Sequence, residues 1–236
     1  SAASDVYKRQ GIIFVEGISE AILLPEIAKI LDRPLEKYAV ELVNVDSVAF
    51  SPFVNLFSSQ NVQTCFSKVA IVTDDDRCTK KSETNYINKD FDYDDVNSDI
   101  SGKLLSGTPS ERCNELETSC RAVGINVFKA TKTLEYALCC DENNIEYFIE
   151  AIKSEYSQLG PALEQKVNSL HDMNEKAACV WLFIRAREKC KGAIAQYISQ
   201  IIKKQCEMRK RGENIEKEFV TVSYTHLRAH ETLANL

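Results

Sequence analysis

Histidine is almost missing from this sequence. Only three residues of 236 are histidine, and two of them, His226 and His230, fall near the end. His171 alone remains in the body of the chain, which excludes a histidine-rich zinc site. Cysteine is present but unpaired in pattern: Cys65, Cys78, Cys113, Cys120, Cys139, Cys140, Cys179, Cys190 and Cys206 contain no CxxC. They read as small core residues of a reduced cytoplasmic protein, not as a disulfide framework. No run of 18 apolar residues offers a membrane span, and no signal peptide is visible. A GxxxxGK[ST] phosphate loop is absent, as is any internal repeat. Positive charge is also short, with 29 Lys and Arg against 35 Asp and Glu. Such an acidic chain advertises no DNA surface, so any nucleic-acid contact must be local or carried by metal ions.

The two ends do not read as part of the rest. Residues 4–10, SDVYKRQ, are one reading frame of the DNA AGATGTGTATAAGAGACAG with two bases added in front, and residues 221–227, TVSYTHL, are a frame of its reverse complement. This resembles the end of a transposase sequencing-library adapter, so residues 1–10 and 222–236 are set aside as adapter-like. The remainder, expected to be cut from a longer gene, has about 210 residues, enough for one large domain or a domain with a helical extension. Its 44% hydrophobic and 27% charged residues suit a globular protein.

Residues 11–15, GIIFV, form a short β-branched run of the buried parallel-strand kind. A helix follows, with Gly17 as the turn, Ser19 as its N-cap, Ile22, Leu23, Ile27, Ile30 and Leu31 at helical spacing, and Pro25 near the first turn. Residues 40–45 and 69–73 read as strands, with a short helix over 50–57 between them. Residues 74–109 are polar, centred on DFDYDDVNSD, and read as a long loop or insertion over about 77–109. An amphipathic stretch over 110–123 and a strand over 125–130 follow, and a helix begins near Glu142. Strand and helix in alternation imply an α/β fold, a parallel sheet with helices on its faces. Beyond Gln158 the pattern is wholly helical, over 161–170, 174–189 and 191–211. The expected division is therefore a sheet domain over 11–157 and a helical C-terminal lobe over 158–221.

Two carboxylate pairs stand at strand ends. Glu16 closes the first strand and Glu20 lies one helical turn on, where an acid also serves as an ordinary dipole or capping residue. Asp74, Asp75 and Asp76 follow the third strand; alternation aims Asp74 and Asp76 to one side and Asp75 to the other, if the strand persists that far. Clustered carboxylates repel unless a cation neutralises them, and Mg²⁺ or Mn²⁺ prefers oxygen ligands. A solvated turn is the plain alternative.

Together, EGxSE after strand one and DxD after a later parallel strand resemble the Toprim domain of topoisomerases, bacterial primases and certain nucleases. FVEGISEAILLPEIAKIL, NVDSVAFSPFVNLF and KVAIVTDDD are most similar to the Toprim nuclease of the OLD (overcoming lysogenisation defect) family. The resemblance implies a Rossmann-like Toprim sheet and a metal-dependent DNA endonuclease working with two Mg²⁺ or Mn²⁺ ions. It places the acidic pair on Glu16 and Glu20 and the DxD pair on Asp74 and Asp76. A further carboxylate falls on Glu135, which otherwise simply starts a helix, and an active-site lysine on Lys191, with Lys189 as rival. Further implications are a preceding ABC-type ATPase domain as the only seat of ATP use, DNA as partner, a homo-oligomer, and a place in phage defence. KKQCEMRKR, residues 203–211, is a DNA contact or a solvated helix face. Other readings are a primase or topoisomerase, although no zinc-ribbon cysteines and no cleavage-domain tyrosine are evident, and a regulatory relative without catalysis. A flavodoxin-like or Rossmann module is the last, but Gly17 alone is no dinucleotide fingerprint.

Overall fold

The computed structural model describes residues 11–58, 68–77 and 91–220. The adapter-like ends, Cys65, Cys78 and part of the expected insertion lie outside these residues. The chain divides into two units, one holding residues 11–74 and 111–130, the other 75–110 and 131–222.

The first unit is built on four strands, β1 (Gly11–Val15), β2 (Val40–Asn44), β3 (Val69–Asp74) and β4 (Asn126–Ala130). They run parallel in the order β2-β1-β3-β4. Parallel neighbours need crossovers, and α1 (Ile18–Ile30), α2 (Ser51–Ser58) and α4 (Glu111–Ala122) belong to these connections. The pleat sorts the strand residues between two cores. Ile13, Val15, Ala70 and Val72 pack with Leu24 and Ala28 of α1 and with Leu35. Ile12, Phe14 and Ile71 pack on the other face with Phe50, Val54 of α2 and Cys120 of α4. The Phe14 and Phe53 rings lie 4.8 Å apart. Both faces of β1 and β3 are covered, which is why these strands read as unbroken apolar runs.

Two details of α1 differ from expectation. Its N-cap is Gly17, in an extended conformation, and makes no side-chain cap bond, while Ser19 is buried within the helix. Pro25 sits in the helix interior, where it leaves the Ala21 carbonyl without its helical donor. Burial of Leu23, Leu24 and Ile27 on either side outweighs that cost.

In the second unit the expected loop is partly helical. Residues 93–95 form a 3₁₀ turn started by a capping box between Asp92 and Asp95, and Asn97 caps α3 (Ser98–Leu105) through the Ile100 N–H. Acids that read as solvated loop residues are thus helix starts, and Tyr93, Val96, Ile100 and Leu104 between them are buried. Then come α5 (Leu134–Leu138), α6 (Glu142–Glu155), α7 (Leu159–Ser169), α8 (Met173–Arg185) and α9 (Lys191–Lys210). Residues 177–184 of α8 are all buried, because this helix lies against α3, α5, α6, α7 and the Tyr93 turn. Phe183 meets Tyr93 at 5.4 Å and Tyr156 at 5.5 Å, and the Arg187 guanidinium lies 4.0 Å from its ring centre. A Cβ on Gly160 would stand 2.6 Å from the Lys153 Cα, so α6 and α7 can approach this closely only with glycine there. The described cysteines are free thiols. Burial pushes Cys120 up to about 11 and Cys179 to about 12, as expected of core residues. Among the described residues, no helix is long and apolar enough to cross a membrane.

Candidate active site

Strand order places the crevice of the first unit. The chain leaves β1 for β2 on one side and returns to β3 on the other, so the connections diverge between β1 and β3. In open α/β sheets that switch point, at the carboxyl ends of the strands, is where ligands bind. Val15 pairs with Val72, which brings Glu16 level with Thr73 and beside Asp74, the last residue of β3. The Thr73 hydroxyl donates to Glu16 Oε2. Arg112, near the start of α4, holds its Nη2 3.7 Å from the same oxygen.

Glu20 and Asp74 are only 5% and 9% exposed, an expensive setting for carboxylates at the end of a sheet. The glycine of EGxSE has its reason here: a Cβ on Gly17 would lie 3.3 Å from Glu20 Oε2. Glu16, Glu20 and Asp74 therefore share the carboxyl edge of one sheet.

The second unit holds the remaining residues. Glu135 is buried in α5, whose N-cap Thr133 accepts the Tyr136 N–H. Lys191, the first residue of α9, places its Nζ 3.9 Å from Glu135 Oε1. The two positions separated by more than fifty residues in sequence thus meet. Lys189 lies instead in the 3₁₀ turn before α9.

The alternation argument for the aspartates does not hold, because β3 ends at Asp74 and Asp76 adopts a left-handed φ of 44°. Asp75 is 3% exposed and accepts the Lys132 N–H at 2.8 Å and the Arg77 N–H at 3.0 Å. Its other oxygen takes Arg77 Nε at 2.9 Å and Nη2 at 2.6 Å. No local pattern marks Arg77, Arg112 or Lys132 for these places, since each is one cation among many. In the basic stretch 203–211, Arg209 pairs with Glu218 and Arg211 with Glu213, which favours a solvated helix face.

An all-oxygen set of carboxylates suits a hard divalent cation. Among the described residues, however, no three Asp, Glu, His or Cys side chains are gathered closely enough to hold one as they stand.

Residues 10–76 match the family model for the Toprim domain of overcoming lysogenization defect-like proteins. No curated protein matches the chain. Among solved structures, the C-terminal region of the Xanthomonas campestris pv. campestris OLD protein is similar, with a TM-score of 0.55 and 19% identity, over 95% of this chain and 96% of that one. The C-terminal region of the Burkholderia pseudomallei OLD protein is similar with a TM-score of 0.53 and 20% identity, over 96% of this chain and 98% of that one. At such identity these structures speak for the fold, and the family match speaks for the segment bearing Glu16, Glu20, Asp74 and Asp76. The likeness to an OLD-like Toprim domain therefore lies in residues 10–76, within a chain whose fold resembles those C-terminal regions.

Proposed function

We propose that this chain is the nuclease portion of an OLD-family, ATP-dependent endonuclease that hydrolyses DNA phosphodiester bonds. The observation that carries the reading is the placement of Glu16 and Asp74 at the ends of the adjacent strands β1 and β3, where the strand order reverses. Glu16, Glu20 and Asp74, at the carboxyl edge of the first unit's sheet, are the residues that would hold Mg²⁺ or Mn²⁺; Asp76 and Glu135 are the further carboxylates that the family resemblance implies. Two such ions, as the family resemblance implies, would supply a water of lowered pKa and positive charge beside the scissile phosphate. Thr73 orients the Glu16 carboxylate through its hydroxyl, and Arg112 tempers the charge of that carboxylate. Lys191 keeps an ammonium against the buried Glu135 and serves to offset negative charge developing on the phosphate. ATP acts only through an ABC-type ATPase domain in the longer protein. DNA is the substrate, and the intact enzyme works as a cytoplasmic homo-oligomer in defence against phage.

A second reading is favoured by the ion pairs themselves. Arg112 and Lys191 already accompany Glu16 and Glu135, an arrangement that would also suit a regulatory protein without catalysis. Supercoiled plasmid treated with the full-length protein and Mg²⁺ or Mn²⁺ separates the two. Cleavage that chelator stops, and that Glu16→Ala and Asp74→Ala each abolish, is the expected result. Equal activity in wild type and both variants would overturn the site, and no metal-dependent cleavage by wild type would leave the regulatory reading.

A further inference from the structure

The middle residue of the Asp74–Asp76 triplet has a carboxylate bonded on both oxygens. Both Asp75 oxygens are saturated by four hydrogen bonds, from the Lys132 and Arg77 backbone N–H groups and from Arg77 Nε and Nη2. Its own carbonyl accepts the Ser110 N–H at 2.9 Å. Around it the bonds close a ring: Asp76 N–H donates to the Lys132 carbonyl at 3.3 Å, and Lys132 Nζ donates to the Arg77 carbonyl at 3.0 Å. Arg77 Nη1 reaches the Leu105 carbonyl, and the Lys132 ammonium stands 4.9 Å from the Trp181 ring centre.

Two members of the ring, Asp76 and Lys132, have φ of 44° and 68°, in the left-handed region that side-chain-bearing residues avoid. Such conformations persist only where the surroundings over-determine them. Here a buried, fully bonded carboxylate does so. Asp76 is one of the proposed ligands, and Lys132 directly precedes Thr133, the N-cap of the helix carrying Glu135.

We infer that Asp75 is a positioning residue: its carboxylate, clamped by Arg77 and Lys132, fixes the backbone on which Asp76 sits and the turn from which Glu135 projects. The inference rests on the nuclease reading above. It needs no metal contact by Asp75 itself, whose lone pairs are occupied by the clamp.

Asp75→Asn tests this in the full-length protein, because the amide keeps the shape while turning an N–H₂ group toward donors that need an acceptor. Arg77→Lys is the milder companion, keeping the charge and losing the fork. Three quantities are read: Mn²⁺ affinity by calorimetry, the Mg²⁺ concentration at half-maximal plasmid cleavage, and amide hydrogen exchange at Asp76 and Lys132. For Asp75→Asn we expect affinity about tenfold weaker, half-maximal Mg²⁺ about tenfold higher, and faster exchange at both amides, with Arg77→Lys in between. A lowered melting temperature with unchanged Mn²⁺ affinity and unchanged Mg²⁺ dependence would make Asp75 merely structural and overturn the inference. Wild-type protein that binds no Mn²⁺ and cuts nothing would instead sink the nuclease reading, and the positioning role with it.

Discussion

In the first unit α1 begins at Gly17 without a side-chain cap and carries the buried Glu20 in its first turn. In the second, Asp92, Asn97, Thr133, Asp141 and Asp172 each cap a helical start with a side-chain oxygen. The starts there that lack a side-chain cap, Gln158 and Cys190, are already in right-handed helical conformation and continue a preceding turn. The second unit thus spends these short polar residues on its own backbone, and of its residues only Asp76, Glu135 and Lys191 enter the proposed site. The first leaves carboxylates crowded at a strand edge, where they repel one another. On the proposed nuclease reading, that edge is where a cation would complete the structure.

Substitutions at the strand edge should therefore damage activity and spare stability, and substitutions among the caps and packed core of the helical unit should do the reverse. Glu16→Gln is the sharpest break. The amide oxygen still accepts from Thr73, and the lost pair with the part-exposed Arg112 is worth under about 1 kcal/mol. Plasmid cleavage should fall about 1,000-fold, about 4 kcal/mol in the barrier, while the denaturant midpoint stays nearly constant. Parallel loss of both would place Glu16 among the structural residues and erase the contrast. Phe183→Ala is the counterpart in the other unit. Its ring is fully buried between Tyr93 and Tyr156 and under Arg187, so its loss should cost about 3 kcal/mol in a urea titration. Gly160→Ala comes next: the added methyl meets the Lys153 backbone, and overpacking of about 2 kcal/mol should appear in the same measurement.

Sequence reading went furthest where periodicity and chemistry coincided. The strand GIIFV and the strand before Asp74 were legible because burial on both faces forces an unbroken apolar run. The carboxylates after them were legible because the strand ends themselves locate the crevice. The Tyr93 turn and α3 were hidden because capping acids have the same composition as a solvated loop. The clamp on Asp75 was hidden because its partner Lys132 is distant in sequence, and no local pattern announces a long-range clamp. The approach of Lys191 to Glu135 was not legible: the resemblance implied each residue separately, and nothing in either segment marks the pairing.

The smallest effect tests the capping half of the contrast. Asp141 accepts the N–H groups of Asn143 and Asn144 at the start of α6, with Oδ1 distances of 2.9 and 3.1 Å. Asn144 is itself fully buried and bonds the Val220 backbone through both ends of its amide, so the cap also steadies the segment that follows α9. Asp141→Ala should cost about 1 kcal/mol in urea, and Asp141→Asn, which keeps the acceptor, much less. Cleavage per folded molecule should be the same in all three proteins. A fall in cleavage by Asp141→Ala beyond its loss of folded protein would mean that α6 takes part in the reaction, and that the two units do not divide the work as their caps and carboxylates suggest.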